Sequence, residues 1–339
     1  MVKTSLLEAI HILARGRSFR TRRLASVIHW HRDQAVCFGL VRREREGVLV
    51  PIGVERHKDG RFQFKVAYRP VQTASSLAAA LAVQLLDAAT FQLLEGPPSH
   101  RRAYLDWGVF HVEQGPREVW SQYQKCLKQR NFLLRHGKMD PLQMGVWERE
   151  LAAAAVEVDR LRARHAEALL PEILGVLAQL NIRVPELEVR YEPGWPAREG
   201  TTEELVQQLA RSRERDFRAG YTQWGPHRAD LRVLVQGKPA HEALSRGQLK
   251  LLLISLKLAQ GQLFRRANGE GCVFLLDDLA AELDQENRLR VGEVLASLGV
   301  QAWITGVEGS GVRDLWPSQA PAPALFHVEQ GVVTREKGE

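Results

Sequence analysis

The segment that most restricts the fold of this chain runs from residue 244 to residue 284. It opens with Leu-Ser-Arg-Gly-Gln, continues through a long and mostly apolar stretch, and then gives Val-Phe-Leu-Leu followed by two aspartates. The apolar stretch predicts a buried helix over 247–266, and the short apolar run predicts a strand within 272–276 that is buried on both faces. Strands of that kind occur in parallel sheets covered by helices, so the segment predicts an α/β fold.

Strand and helix patterns alternate beyond residue 225, whereas three short strand patterns near the N-terminus follow one another directly. The predicted elements are strands at 35–41, 48–54 and 61–68, a strand at 231–235, a helix at 285–298 and a strand at 300–305. Consecutive strands joined by a short turn, such as Lys-Asp-Gly at 58–60, predict an antiparallel meander. The two ends of the chain therefore predict one mixed-sheet domain in two halves, 1–115 and 215–339.

The middle of the chain has a different pattern. Residues 117–135 and 146–180 repeat apolar side chains at helical spacing, which predicts two long helices. We therefore predict an inserted, mainly helical arm or lobe over 116–214.

The charge balance predicts a polyanionic partner. The formal net charge is +7, and arginines cluster within residues 15–23 and again at 101–102. Such clusters favour phosphate contacts and counterion release. The three cysteines are odd in number and far apart, which favours a reducing cytoplasm over a disulfide-bonded secreted protein. Apolar runs stay shorter than the ~18 residues of a membrane helix, so we expect no membrane span.

Asp277 and Asp278 stand at the end of the predicted buried strand. Ligands of open α/β sheets bind at the carboxyl ends of strands. In a nucleotide hydrolase, the first acid at this place holds Mg²⁺, and the next positions or deprotonates the attacking water. The alternative is a pair of solvated acids that open a loop before the next helix, and the two residues alone leave both interpretations open.

Ser245 and Gly247 stand at the start of the predicted long helix. Ser245 can cap this helix, and Gly247 allows an anion to approach the backbone amides closely, so the helix start can bind a phosphate. The alternative is a serine cap with a permissive glycine and no ligand. The order of a capped glycine helix, an Asp-Asp strand and Ala-Glu-Leu-Asp at 281–284 is more restrictive than any part of it.

This order resembles the ATPase head of the ABC and SMC proteins, in which a signature helix precedes the Walker B strand and a short D-loop that ends in aspartate. The resemblance implies a P-loop nucleotide-hydrolase head with a mixed sheet, an antiparallel meander and an inserted helical lobe. It also implies ATP and Mg²⁺ as cofactors and a homodimer that forms around ATP.

The resemblance assigns roles to individual residues. Asp277 would bind Mg²⁺, and Asp278 would act on the attacking water. Gln84, after an apolar strand, would be the Q-loop glutamine that senses Mg²⁺ and water. The residues implied at the nucleotide in the signature segment and the D-loop are Ser245, Arg246, Gly247, Gln248 and Asp284.

Lys3 and Thr4 resemble the last two residues of a Walker A loop. In a complete loop the lysine reaches the β and γ phosphates, the hydroxyl binds Mg²⁺, and glycine amides cradle the rest. Val2 stands where the final glycine of such a loop belongs, and the preceding glycines are absent from this sequence. We therefore expect weak or absent ATP binding, and at most a weak ATPase that serves as a conformational switch. The alternative for Lys3 and Thr4 is an ordinary N-terminus.

Four further motifs narrow the resemblance. They are Glu-Gly-Pro at 95–97, His-Arg-Arg-Ala-Tyr-Leu-Asp-Trp-Gly at 100–108, Leu-Lys-Gln-Arg-Asn at 127–131 and Gly-Pro-His-Arg-Ala-Asp-Leu at 225–231. With Leu-Ser-Arg-Gly-Gln they resemble the RecF family of bacterial replication and recombinational repair proteins. That resemblance implies ATP-dependent binding of single-stranded and gapped duplex DNA, cooperation with recombination mediator proteins in recombinase loading, and a role in the SOS response.

The arginine clusters are the predicted DNA contacts. These residues are Arg20, Arg22, Arg23, Arg101 and Arg102. The alternative for the cluster at 15–23 is a solvated helix end and loop. The alternative for Arg101 and Arg102 is an internal ion pair, for instance with Asp106, and we expect Trp107 in the core rather than stacked on a base.

Two other functions remain as alternatives. A transporter-type ABC ATPase subunit is disfavoured by the helical insertion, by the basic surplus, and by Thr305 where a histidine is typical of transporters. A truncated DNA-binding or scaffolding protein that no longer holds ATP is the second alternative.

Overall fold

The computed structural model describes residues 2–21, 23–113, 115–136, 141–306, 312–329 and 331–336. Within them the α-helices are α1 (Val2–Arg15), α2 (Ala74–Ala80), α3 (Gln92–Glu95), α4 (Pro98–Val112), α5 (Pro116–His136), α6 (Pro141–Gln179), α7 (Thr202–Ala219), α8 (Ala240–Ala243), α9 (Arg246–Asn268) and α10 (Gln285–Ser297). The strands are β1 (Gln34–Arg42), β2 (Leu49–His57), β3 (Phe62–Val66), β4 (Arg69–Val71), β5 (Val83–Leu86), β6 (Leu187–Glu192), β7 (Asp230–Val235), β8 (Lys238–Pro239), β9 (Val273–Leu276), β10 (Ala302–Ile304), β11 (Phe326–Glu329) and β12 (Val332–Arg335).

The chain forms two compact units. Unit 1 comprises Met1–Thr90, Ala178–Asn181 and Lys257–Glu339, and unit 2 comprises Phe91–Leu177 and Ile182–Leu256. The division falls inside α6 and inside α9, so each of these helices contributes residues to both units. Residues 91–115 and 215–256, which the sequence analysis grouped with the chain ends, belong to the unit that contains the helical segment.

Unit 1 contains a parallel sheet in the order β10-β9-β5. The predicted buried strand is confirmed as β9, which lies between the other two, and Phe274 and Leu275 are fully buried. The predicted long helix is confirmed as α9. A β-carbon on Gly261 of this helix would lie 2.6 Å from the ring of Phe274. Glycine is needed there because the helix backbone lies directly against the aromatic ring of the central strand.

The predicted meander is confirmed as an antiparallel sheet in the order β1-β2-β3-β4. One face of this sheet packs on α1 and α2 in a core that includes Leu7, Ile52 and Leu77. The strand predicted over residues 61–68 is interrupted by a turn at Ala67 and Tyr68, which both have positive φ. The turn separates β3 from β4.

Unit 2 contains the two predicted long helices, observed as α5 and α6, together with α4 and α7. Their shared core includes Tyr123, Leu151, Trp195 and Leu205. The unit also contains an antiparallel sheet in the order β6-β7-β8, so it is not wholly helical.

Strand β7 differs from the expectation for residues 231–235. This strand was predicted within an alternating α/β segment, whereas it pairs antiparallel with β6 and β8. The connection to β8 is a two-residue turn at Gln236 and Gly237, with φ of 51° and 74°. Such turns suit β-hairpins because positive φ at both central residues matches the twist of the strands.

None of the described helices combines the length and the apolar character that crossing a membrane requires.

Candidate nucleotide site and arginine clusters

Three residues from separate elements of unit 1 meet at the carboxyl end of β9. Asp277 follows β9, Thr305 follows the neighbouring strand β10, and Thr4 lies in the first turn of α1. The Asp277 Oδ1 atom accepts hydrogen bonds from Thr4 Oγ1 at 3.0 Å and from Thr305 Oγ1 at 2.8 Å. The parallel register pairs Ile304 with Leu276, so the residues that follow these two strands lie side by side. The predicted Mg²⁺ ligands Thr4 and Asp277 are therefore in contact.

The geometry of this pair suits a magnesium ion. Mg²⁺ binds oxygens at 2.0–2.1 Å in an octahedron, so neighbouring ligand oxygens lie about 2.9 Å apart. The oxygens of Thr4 and Asp277 lie 3.0 Å apart. Among the described residues there is no cluster of three or more His, Cys, Asp or Glu that could hold a metal. Two protein ligands fit a cation that takes its other ligands from water and phosphate, as Mg²⁺ does at nucleotide sites.

Lys3 lies at the same edge of the sheet. Its Nζ donates a hydrogen bond of 2.7 Å to the carbonyl of Gly306, just beyond Thr305. A carbonyl is neutral, so this bond positions the ammonium without offsetting its charge. The two residues that resemble the end of a Walker A loop thus both lie against the strand ends of the parallel sheet.

Asp278 has an unusual backbone conformation. Its φ of 53° and ψ of 22° place it in the left-handed region, and it caps the short 3-10 helix Leu279–Glu282. Residues other than glycine adopt this conformation rarely, and they do so often at functional sites. The Asp278 side chain is exposed. Its N–H donates to Thr305 Oγ1 at 3.1 Å.

Thr305 is a site residue whose contacts the sequence analysis missed. It was noted only because it is not a histidine, yet its hydroxyl donates to the Asp277 carboxylate and accepts from the Asp278 amide. The signal that could have found it is positional, because a polar residue directly after a second parallel strand lies beside the residue that ends the first.

Gln84 lies within β5 rather than after it, and it is almost completely buried. Its Nε2 donates to Gln260 Oε1 of α9 at 2.8 Å, and its Oε1 accepts from Lys257 Nζ at 3.4 Å. Burial lowers the pKa of Lys257 to about 8, and the nearby Asp87 carboxylate partly opposes that shift. Both ends of the Gln84 amide are thus engaged with α9.

The start of α9 has the capped geometry that the sequence predicts. Gln248 N donates to Ser245 Oγ at 3.3 Å, and Ser245 N donates to Gln248 Oε1 at 3.0 Å. This reciprocal pair is a capping box, which satisfies backbone donors at a helix start. Residues 245–248 are exposed, and a β-carbon on Gly247 would have no atom within 4 Å. Arg246 and Gly247, whose amides the capping box does not use, therefore lie in an exposed segment that an anion can reach.

Asp284 caps another helix. Its Oδ1 accepts from Asn287 N at 2.9 Å, and its Oδ2 accepts from Asn287 Nδ2 at 2.7 Å. The hydrogen bond from the Asn287 backbone amide holds the pKa of Asp284 below its usual value. The predicted D-loop aspartate thus has a local role as the N-cap of α10, which is separate from any role at a nucleotide.

The first arginine cluster follows α1. Arg20 has a side chain that is 41% exposed, with Nη1 at 3.8 Å from Glu8 Oε2, and Arg23 is exposed. Ser18 fixes this loop, because its hydroxyl bonds to the buried Glu8 carboxylate and accepts the backbone N–H of Arg20 at 3.0 Å. The remaining predicted contact, Arg22, lies outside the described residues. The cluster presents cations to solvent on a fixed loop.

The second arginine cluster is engaged inside unit 2. Arg101 makes a bidentate pair with Asp230, with N–O distances of 2.7 and 3.0 Å, and Arg102 Nη1 donates to the Ala229 carbonyl at 2.8 Å. The internal ion pair considered as an alternative is therefore present, although its acid is Asp230. Asp106, named as an example, pairs instead with Arg162 at 2.7 Å. This geometry favours a structural role for Arg101 and Arg102.

Trp107 is buried, as expected for a core residue.

The motifs at 127–131 and 225–231 serve as a scaffold in unit 2. Asn131 Oδ1 accepts the backbone N–H of Thr222 at 2.7 Å. His227 Nε2 lies 2.8 Å from the Thr222 carbonyl, and its Nδ1 lies 2.7 Å from the Tyr123 hydroxyl. Burial lowers the pKa of His227 to about 4, so the ring is neutral near pH 7. A carbonyl can only accept, so Nε2 carries the proton and Nδ1 accepts from Tyr123.

Comparison with known proteins agrees with this architecture. The family model described as RecF/RecN/SMC N terminal domain matches residues 2–315. The DNA replication and repair protein RecF of Pseudomonas aeruginosa (strain LESB58) is 42% identical over 333 residues, which are 98% of this chain and 88% of that protein. The protein of the same name from Azotobacter vinelandii is 43% identical over 333 residues, with 98% and 89% covered.

Solved structures give the same result. A structure described as the recombination mediator protein RecF with ATP in the RecFOR pathway has a TM-score of 0.85 and 25% identity, over 99% of this chain and 88% of that one. An Smc head domain from Pyrococcus furiosus has a TM-score of 0.53 and 16% identity, over 98% and 86%. At that identity the second match shows a shared fold alone.

Proposed function

We propose that this chain, which belongs to the RecF family of DNA replication and repair proteins, is a DNA-binding ATPase in which ATP controls association of two copies. In this proposal it binds single-stranded and gapped DNA during replication and recombinational repair. It helps recombination mediator proteins to load the recombinase, and thereby contributes to the SOS response. Hydrolysis is slow and resets a conformational switch.

One observation carries the nucleotide part of this proposal. The hydroxyls of Thr4 and Thr305 both donate to the Asp277 Oδ1 atom at the strand ends of the parallel sheet, and Lys3 lies at the same edge. This is where open α/β sheets bind ligands. A related RecF has been solved with ATP, which supports the same ligand here.

Each residue has a proposed role. Lys3 neutralises the β and γ phosphates, while Thr4 and Asp277 hold Mg²⁺, which would withdraw charge from the phosphate oxygens. Asp278, exposed beside that carboxylate, positions or deprotonates the attacking water. Gln84 contributes to that step only after its amide leaves Gln260.

The signature segment and the D-loop have a proposed role in the dimer. The residues concerned are Ser245, Arg246, Gly247, Gln248 and Asp284. They serve the nucleotide held by the second copy, because the accessible amides at the start of α9 favour an anion. ATP would then connect the two copies, and its hydrolysis would release them.

A nucleotide titration tests the first part. We expect wild-type protein to bind a fluorescent ATP analogue weakly, because Val2 stands where a phosphate loop has glycine, and to bind it more tightly with Mg²⁺. Lys3→Ala removes the phosphate cation and abolishes binding, whereas Lys238→Ala, at an exposed lysine of β8, leaves it unchanged. Tight micromolar binding that vanishes in Lys3→Ala would overturn the expectation of weak affinity. Absence of ATP binding with normal DNA binding would favour the scaffold alternative.

Salt dependence tests the DNA part. Arg20 and Arg23 are exposed on the fixed loop after α1 and are the proposed phosphate contacts. Each lost phosphate contact lowers the slope of log affinity against log salt by about one unit. The double variant Arg20→Glu, Arg23→Glu should therefore bind more weakly and with a flatter slope, while Arg149→Glu, at an exposed position of α6, should not. Unchanged slopes in the double variant would remove these arginines from the interface.

Membership of the RecF family decides against the transporter-type alternative.

A further inference from the structure

Three aromatic rings lie together in the loop that leads into β1. They belong to His29, Trp30 and His31, which are all exposed, and Trp30 is 79% exposed. The ring centroids of Trp30 and His31 lie 5.0 Å apart, and those of His29 and Trp30 lie 6.2 Å apart. Exposing a whole indole to water opposes the usual gain from burying an apolar side chain.

This loop is fixed by hydrogen bonds from the turn that follows β2. Lys58 Nζ donates to the Trp30 carbonyl at 2.9 Å, and Lys58 N donates to the Asp33 carbonyl at 2.9 Å. Within the loop, Arg32 N donates to the His29 carbonyl at 2.9 Å. The rings therefore stand on a preformed backbone, which lowers the entropy that a ligand would have to remove.

Two exposed cations belong to the loop or are bonded to it. Arg32 directly follows His31, and Lys58 Nζ donates to the Trp30 carbonyl, which does not offset its charge. The loop itself contributes one acid, Asp33. Of the acids on the adjoining hairpin, Asp59 is paired with Arg61 at 2.7 Å. The surroundings are thus more cationic than anionic, which suits a phosphate backbone.

We propose that Trp30, supported by His29 and His31, is a stacking surface for an unpaired base of single-stranded nucleic acid, and that Arg32 and Lys58 contact its phosphates. An indole offers a wide π-face that any base can cover, and a nearby cation binds the strand between bases. Bases within a duplex already stack on each other, so the surface selects unpaired ones. The inference rests on the proposed DNA binding and adds the kind of strand that this loop takes.

A protein partner is the competing occupant of the same region. The outward row of β1, Val36, Phe38 and Leu40, is also exposed, and Phe38 is its one aromatic residue. The aliphatic side chains of Val36 and Leu40 pack against other apolar side chains but give a base no π-face to stack on. The ring cluster together with its cations favours nucleic acid, and the experiment below separates the two.

Anisotropy titrations with a labelled oligothymidine and with a blunt duplex test the proposal. Trp30→Ala should weaken binding of the oligothymidine about tenfold, because one base–aromatic stack is lost, and should leave duplex binding unchanged. Trp30→Phe keeps a ring and should retain most of the affinity. Tyr68→Ala is the matched control, since Tyr68 is 78% exposed at the opposite turn of the same sheet and should have no effect.

The outcomes separate this proposal from the one on which it rests. If wild-type protein binds DNA and Trp30→Ala binds the oligothymidine equally well, the stacking surface is wrong while the DNA-binding function stands. Equal weakening on both DNAs, or a lowered unfolding midpoint in Trp30→Ala, would also overturn it, because the effect would then be structural. If wild-type protein binds neither DNA, the proposed function fails together with the inference. If Trp30→Ala no longer binds a mediator protein but still binds both DNAs, the rings belong to a protein-binding surface instead.

Discussion

Two clusters of polar side chains, one in each unit, differ in how many of their hydrogen-bonding groups are paired within the cluster. In unit 2, the buried guanidinium of Arg130 donates to Glu148, Asp216 and Thr222 at 2.8–3.3 Å, and none of its side chain is exposed. In unit 1, the half-buried Asp277 accepts two hydroxyls on a single oxygen. A carboxylate can accept about four hydrogen bonds. The first cluster holds helices together, while the second keeps capacity for a ligand.

The charges support the same distinction. Arg130 and Arg213 face Glu148 and Asp216, so the buried cluster is balanced by its own members. In unit 1, Lys3 Nζ donates to the Gly306 carbonyl, and Asp278 is exposed. The proposed phosphate and divalent cation would bring charges of both signs to this edge of the sheet.

The largest loss of stability is expected when the buried cluster of unit 2 loses its arginine. Arg130→Met leaves Glu148 and Asp216 charged and partly unpaired in the interior of unit 2. We expect a loss of about 3–5 kcal/mol in the free energy of unfolding, as for other broken buried ion pairs. Urea unfolding measures it, with Arg211→Met at an exposed position of α7 as the control. A loss below about 1 kcal/mol would show that Arg130 is not essential to the helical core.

His165 is a buried polar residue of unit 2 whose side chain is not paired in the way that Arg130 is. It is fully buried, and neither ring nitrogen has a hydrogen-bond partner among the described residues. Burial lowers its pKa from 6.5 to about 4. The unfolded chain then binds the proton more readily, so stability is complete above pH 6.5 and is lost as the pH falls towards 4. The difference corresponds to about 3 kcal/mol.

As the pH is lowered across that range, the free energy of unfolding measured with urea should therefore fall less steeply in His165→Leu than in wild-type protein. His11 and His227, whose pKa values burial also lowers to about 4, are present in both proteins and cancel in the difference. Gln207→Leu, at an exposed position of α7 that carries no titrating group, should keep the wild-type slope. Identical slopes in wild type and His165→Leu would mean that the imidazole finds a partner when it is protonated.

Asp277→Asn tests whether the cluster of unit 1 serves ligand binding rather than stability. An amide oxygen can still accept from Thr4 and Thr305, so we expect the free energy of unfolding to change by less than about 1 kcal/mol. The charge that would hold Mg²⁺ is lost, so the Mg²⁺-dependent part of ATP binding should fall at least tenfold, or about 1.4 kcal/mol. Calorimetric titration and urea unfolding on the same variant measure both. A stability loss as large as that of Arg130→Met would place Asp277 among the structural residues.

Gly247→Ala should have the smallest effect on stability. Its β-carbon would meet no atom within 4 Å, and the residue lies in a helix, so we expect a change within about 1 kcal/mol, in the stabilising direction. ATP-dependent association of two copies, followed by light scattering, should nevertheless weaken, because the methyl group would obstruct an anion at the helix start. Gly175→Ala in α6 is the matched control, with equally open space and no proposed ligand. Equal association in both variants would separate Gly247 from the dimer interface.

The sequence was sufficient where a local pattern determines the structure. Four apolar residues before Asp277 predicted the central strand, and Ser245 predicted a capped helix, because each of these signals is contained within a few consecutive residues. The partners of Arg101 and Thr305 could not be found in this way. Arg101 pairs with Asp230, far along the chain, and Thr305 meets Asp277 only because β10 lies beside β9. The packing of α4 on β7 decides the first contact and the strand order decides the second, and a single sequence carries no direct record of either.

Gln84 has a consequence for measured affinities. Its amide occupies two hydrogen bonds with Gln260 and Lys257, and a net hydrogen bond contributes about 1 kcal/mol. Only a minority of molecules would therefore have this glutamine free at any moment. A nucleotide that recruits Gln84 binds that minority, so its apparent affinity is the intrinsic affinity multiplied by the free fraction. The proposed recruitment of Gln84 by a nucleotide would therefore depend on how tightly α9 holds this amide through Lys257 and Gln260.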